Sequence, residues 1–119
     1  MNKNRRDRIA KIKSQIEAIK TEIEDNEYYD EQAQAAALSP LKAQVSDLRD
    51  EEQDYLDYMP ESFQNGNKGE AAQNAIDELD NADSYIDRAI DDLNEDEVDV
   101  STILGNLEDA ITALESASE

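Results

Sequence analysis

Cysteine, histidine and tryptophan are all absent from this 119-residue chain. The first absence excludes disulfide staples and thiol nucleophiles. The second removes imidazole bases, Ser-His-Asp constellations and the standard zinc sites built on Cys and His. Long apolar runs are missing too. No stretch approaches the roughly 18–20 residues that span a bilayer, and the charged N-terminal segment has no apolar run behind it, so neither a membrane anchor nor a signal peptide is expected. Two prolines and three glycines argue against disorder, since disordered chains are usually richer in both.

What the sequence does have is charge of one sign. Eleven Lys and Arg face 31 Asp and Glu, a net charge of −20 at pH 7. Leu, Ile, Val and Phe together number 23 residues, about a fifth of the chain, which lies at the edge where a charged chain stops folding. Fifteen Ala with many Glu, Gln and Lys favour helix. The spacing of the apolar residues decides for a folded, all-α chain.

Ile9, Ile12, Ile16, Ile19 and Ile23 recur at intervals of 3, 4, 3 and 4, a heptad seam with isoleucine at both core positions. In parallel coiled coils that choice favours higher-order assembly, so these five residues are candidates for self-association into a homo-oligomer. The Ala-rich run 33–38 extends the first helix to about 4–37, and Ser39-Pro40 reads as an N-cap followed by proline at the first helical position. A second helix over 40–58 carries Leu41, Val45, Leu48 and Leu56, with Glu52 where another apolar residue belongs. Residues 60–69 (PESFQNGNKG) read as a loop. A third long helix, 70–94, has the most regular seam: Ala72, Ala75, Leu79, Ala82, Ile86, Ala89 and Leu93. The last, 101–117, follows an acidic break and aligns Ile103, Leu104, Leu107, Ala110, Ile111, Leu114 and Ala117. The expectation is a single domain, a coiled-coil or helical bundle of three to four helices without strands.

The charge is divided unevenly. Residues 1–20 hold seven bases against two acids, whereas residues 21–119 hold four bases against 29 acids. Cations in the first turn of a helix oppose its macrodipole, so the basic head is expected to lie against an acidic helix of the same chain. Direct nucleic-acid binding is not expected of it, because Arg5-Arg6-Asp7-Arg8 is short and lacks interleaved aromatics.

The acidic part carries the functional candidates. Asp77, Glu78, Asp80, Asp83, Asp87, Asp91, Asp92, Glu95, Asp96, Glu97 and Asp99 are opposed only by Arg88. On a helix rising ~1.5 Å per residue that is about one net charge per 3.4 Å, the linear density of one DNA strand. A second cluster, Asp47, Asp50, Glu51, Glu52, Asp54, Asp57 and Glu61, is interleaved with Tyr55 and Tyr58. Tyrosine beside carboxylate suits a protein interface, since it adds buried area and a polar tip. The partner-binding candidates are therefore Asp77, Asp80, Asp83, Asp87, Asp91, Asp92, Glu95 and Asp96, with Asp50, Asp54, Tyr55, Asp57 and Tyr58. The alternative is a plain solvated face on a homo-oligomeric structural or adaptor protein.

No catalytic, cofactor or metal site emerges. The best calcium-loop register starts at Asp92 but places Glu97 where glycine is needed and Ile103 where a bidentate Glu is needed. Gly66 and Gly69 lack the spacing of a phosphate-binding loop. An enzyme is not expected.

Asp50-Glu51-Glu52-Gln53, Asp57, Met59-Pro60-Glu61-Ser62, Gln64 and Lys68-Gly69-Glu70, together with the Arg5-Arg6-Asp7-Arg8-Ile9 start, form a recognisable pattern. It resembles small, acidic, helical proteins of phages and prophages over residues 4–23 and 48–94. The resemblance implies an inhibitor of host defence acting in the host cytoplasm, of anti-CRISPR or related kind. Its target would be a basic nucleic-acid-binding protein such as a CRISPR effector or another nuclease, engaged by a surface that imitates DNA.

Overall fold

The computed structural model of the chain describes all 119 residues. Five helices follow one another: α1 (Lys3–Asp25), α2 (Glu31–Asp57), the single turn α3 (Glu61–Gln64), α4 (Asn67–Leu93) and α5 (Val100–Ala117). There is no strand. The four long helices run alternately up and down, and each packs on two others in the ring order α1–α2–α4–α5. The result is an antiparallel four-helix bundle of 54 × 23 × 19 Å. Two helices side by side, each ~10 Å across, account for the two short dimensions.

The heptad spacing builds this arrangement because one narrow stripe per helix can face a common axis. Twenty-two residues from all four long helices form one core, among them Ile9, Ile12, Ile16, Leu38, Val45, Leu48, Leu79, Ile86, Leu107 and Leu114. Burying each such Ile or Leu contributes about 1.5–3 kcal/mol. Side-chain size sets the distances between helices. On α4 the seam positions alternate between Ala (Ala75, Ala82, Ala89) and Leu or Ile, so α2 and α5 approach it closely. The isoleucine-only seam of α1 holds that helix farther from its neighbours.

The first break falls earlier than the sequence pattern suggests. α1 ends at Asp25, not near residue 37, and the Ala-rich run belongs to α2. Asp30 caps α2 by accepting a hydrogen bond from the Ala33 backbone N–H at 3.1 Å. Asn26 closes α1, its N–H reaching the Glu22 carbonyl and its side chain accepting from the Tyr28 N–H. Pro40 therefore lies inside a helix rather than at its start. It is tolerated because it is exposed, while Leu38, Leu41 and Val45 on the opposite side hold the helix against the core. Ser39, which precedes it, bonds through its hydroxyl back to the Ala35 carbonyl at 3.3 Å. The expected loop 60–69 is also shorter, for it contains α3 and the first turn of α4.

Four of the seven bases in residues 1–20 pair with acids on other helices. Arg5 and Arg8 on α1 meet Glu52 and Glu51 on α2, at 2.8 and 2.6 Å. Lys13 and Lys20 meet Glu115 and Glu108 on α5, at 3.2 and 3.0 Å. These pairs also report the register. Lys13 lies opposite Glu115, so α5 ends well short of the start of α1, and the α2–α4 hairpin with its α3 tip projects beyond it. Ala72, Ala75 and Ile76 are buried in this projecting part, outside the main core.

Candidate functional site

Two surface features gather the candidate residues: the outward face of α4 and the tip where α2, α3 and α4 meet.

Along α4 the tertiary structure sorts the acids into two groups. Asp80 lies 3.1 Å from Arg49 and Asp83 lies 3.4 Å from Lys42, so both are engaged in pairs that tie α4 to α2. Asp92 accepts a hydrogen bond from the Asn106 amide on α5 at 3.0 Å. These three do not form part of a free row. Asp77, Asp87 and Asp91 remain exposed, continued by Glu95, Asp96 and Glu97 in the turn to α5, and none of the six has a cationic partner. Free negative charge thus lies at both ends of α4, with Glu70, Asp77 and Glu78 in its N-terminal half and Asp87 and Asp91, continued by the turn, in its C-terminal half. Arg88, the one base of this stretch, lies over the ring of Tyr85 at 5.4 Å from its centre. Carboxylates near the C-terminus of a helix oppose the macrodipole, and no long helix here places a base in its last turn. Helix stability alone does not explain this arrangement.

The tip is built tightly. Gln64 donates its side-chain amide to the carbonyls of Leu56 and Met59, at 3.2 and 2.9 Å, and so ties α3 to the end of α2. On the other side α3 presses its backbone on α4 at Gly69. A Cβ at Gly69 would fall on the Gln64 carbonyl and 2.7 Å from the Gln64 Cα, which makes glycine a steric requirement there. On this scaffold Tyr55, Tyr58, Met59, Pro60, Phe63 and Lys68 surround an open cup of about 340 Å³. The apolar lining is left uncovered: Tyr58 is 87% exposed, Phe63 57% and Tyr55 42%. Arg5 stands over the ring of Tyr55, 5.8 Å from its centre. Asp54, Asp57, Glu61 and Glu70 are exposed around the tip, and Asp50 is exposed one turn earlier on α2.

Sequence spacing pointed to Tyr55 and Tyr58 but not to Met59, Pro60, Phe63 or Lys68. The available signal was Phe63, a lone aromatic among turn residues with no seam to join. Glu52 is buried against Arg5, and Glu51, still partly exposed, is paired with Arg8. The five isoleucines of α1 are filled from within the chain, none more than 8% exposed, because α2 and α5 cover their seam. In this fold they offer no surface to a second copy, which corrects their reading as self-association residues.

No three acidic side chains converge closely enough to hold a metal ion, and no helix is long and apolar enough to cross a membrane. Comparison with family models, with curated proteins and with solved structures returns no match for the chain.

Proposed function

We propose that this protein is a phage-type inhibitor, of anti-CRISPR or similar anti-defence kind, that binds a basic nucleic-acid-handling protein of the host and blocks access of DNA to it. The observation that carries the reading is the set of exposed, unpaired carboxylates Asp87, Asp91, Glu95, Asp96 and Glu97 at one end of a stiff four-helix rod. Lysines and arginines lining a nucleic-acid groove are arranged to meet phosphates, and Asp87 and Asp91, one turn apart at ~6 Å along α4, offer carboxylates in their place. Preorganisation matters here. Carboxylates already fixed on a helix lose less freedom on binding than the same charges on a flexible chain.

The ion pairs refine which acids act. Asp80 and Asp83 serve the α2–α4 contact in this reading, and Asp87, Asp91, Glu95 and Asp96 face the partner.

The test is competition with duplex DNA. Purified protein is added to CRISPR effector complexes and to restriction-type nucleases, and DNA retention is read by gel shift between about 50 and 200 mM salt. Displacement of DNA that weakens steeply with salt is the expected result. Asp87→Asn, Asp91→Asn, Glu95→Gln and Asp96→Asn together abolish it, whereas Asp83→Asn lowers stability but preserves competition. Displacement that is indifferent to salt or to the quadruple change contradicts the reading.

A further inference from the structure

The chain holds five tyrosines and one phenylalanine. Tyr55, Tyr58 and Phe63 all line the one cup at the tip, and none of the three packs against the main core. Core packing therefore does not account for them. We infer that the cup is a binding site for a small aromatic carboxylate, its rings taking the flat apolar body and the Lys68 ammonium taking the single negative charge. This site stands apart from the acidic surface and does not depend on the partner proposed above.

Size and lining agree with that class of ligand. A volume of about 340 Å³ falls among small-molecule sites, which are mostly apolar with a few oriented polar groups. Here Tyr55, Tyr58, Met59, Pro60 and Phe63 supply the apolar wall, and Lys68 is the one charged residue in it. Gln64 and Gly69 fix the turn beneath, so the wall is formed before anything binds. Lys68 has no ion-pair partner, although the chain carries 31 acids against 11 bases. Asp57 and Glu70 line a separate polar groove with Gln64, Asn65 and Gln73. Asp87 and Asp91 lie about 28 and 34 Å away along α4, well beyond the ~8 Å screening length at physiological salt. Arg5 stacks on Tyr55 but gives its charge to Glu52, which leaves Tyr58 and Phe63 as the open rings. One ammonium balances one carboxylate. A phosphate dianion or a nucleic-acid strand would find the same single cation and meet the net charge of −20 more than once.

The experiment titrates the full chain with three bicyclic probes of similar size: 2-naphthoate, neutral 2-naphthamide and cationic 2-naphthylmethylamine. Ring signals of Tyr55, Tyr58 and Phe63 are followed by NMR at about 150 mM salt. The naphthoate is expected to bind about threefold to fivefold more tightly than the amide, the gain of one partly solvated ion pair, with the amine weakest. Lys68→Met, which keeps the apolar stem, is expected to make naphthoate and amide equal, and Lys68→Arg to retain the preference. Tyr58→Ser with Phe63→Ser is expected to abolish binding of all three with the helical circular dichroism intact. Equal affinity for naphthoate and amide, or a preference that survives Lys68→Met, overturns the inference. So does tightest binding of the amine, which would show that the acids around the tip govern the cup. Probes that leave the three ring signals unmoved overturn it too, as does a dimer in sedimentation that Phe63→Ser disperses, which would assign the cup to a second copy. None of these results bears on competition with DNA, so the two readings fail separately.

Discussion

The Glu52 carboxylate, wholly buried at a seam position of α2, receives the Nε–H of Arg5, 47 positions earlier in the chain, at 2.8 Å. Its second oxygen, Oε2, is buried without a hydrogen-bond partner. The pair thus occupies a place where the heptad calls for an apolar side chain, at a level of the bundle that α5 does not reach. A buried charge with half its acceptors unused is costly, and a lone buried charge is costlier still.

Arg5→Met alone, or Glu52→Leu alone, is therefore expected to destabilise the fold, with the loss of Arg5 the larger effect at about 3 kcal/mol, because it strands the buried carboxylate. The double change Arg5→Met with Glu52→Leu is expected to recover most of that loss or to exceed the parent. Urea unfolding followed by circular dichroism measures all three. A double variant no more stable than the singles would mean that the pair contributes stability in its own right.

A neighbouring pair responds to acid. Arg8 grips Glu51 through two bonds, at 2.8 and 2.6 Å, and this guanidinium holds the Glu51 carboxyl below its ordinary range despite an opposing push from burial. The folded state thus binds the Glu51 proton less readily than the unfolded chain does. The contribution is present in full above the unfolded value of ~4.3 and disappears as pH falls through the lower folded value. Because both side chains are 39% exposed, solvent screening limits it to under about 1 kcal/mol. The stability gap between the parent and Glu51→Gln should stay constant near neutrality and close below about pH 4.

Added salt should act in opposite senses on folding and on binding. At −20 the chain repels itself, so sodium chloride is expected to raise the thermal midpoint by screening that repulsion. On the proposed function, the same screening is expected to weaken capture of a basic partner. A midpoint that falls with salt would show that the nine ion pairs outweigh the repulsion.

Two glycines in helices should respond to alanine with opposite signs. At Gly105 a Cβ meets nothing within 4 Å, so Gly105→Ala is expected to stabilise by about 0.5–1 kcal/mol through helix propensity. At Gly69 it meets the Gln64 backbone, and Gly69→Ala is expected to destabilise by about 1–3 kcal/mol and to loosen the tip. Thermal unfolding of the two variants side by side is sufficient to check both signs.

Periodic features were legible without coordinates. The seams of α1, α4 and α5 are buried as their spacing indicates, since a heptad repeat is a property of one helix and needs no neighbour to be recognised. Glu52 stood out as an interruption, though not its partner. Two local signals competed between residues 26 and 40, and the stronger-looking one, Ser39-Pro40, lost to the Asn26 and Asp30 caps. Proline on the exposed side of a helix forfeits one hydrogen bond, whereas ending that helix at residue 39 would have broken the run Leu38–Leu41–Val45–Leu48 that faces the core.

Helical class, the sign of the charge and the identity of most core residues belong to the sequence, because each follows from composition or from intervals of three and four positions. The tertiary structure decided the rest: that α1 closes a bundle within one chain, that Asp80 and Asp83 are bound to α2 while Asp87 and Asp91 stay free, and that Tyr58 and Phe63 face solvent on a rigid tip. Those outcomes depend on which helices lie side by side and at what stagger. That is settled by the fit of alanine against leucine and isoleucine between helices, and the spacing within any single helix carries no record of it.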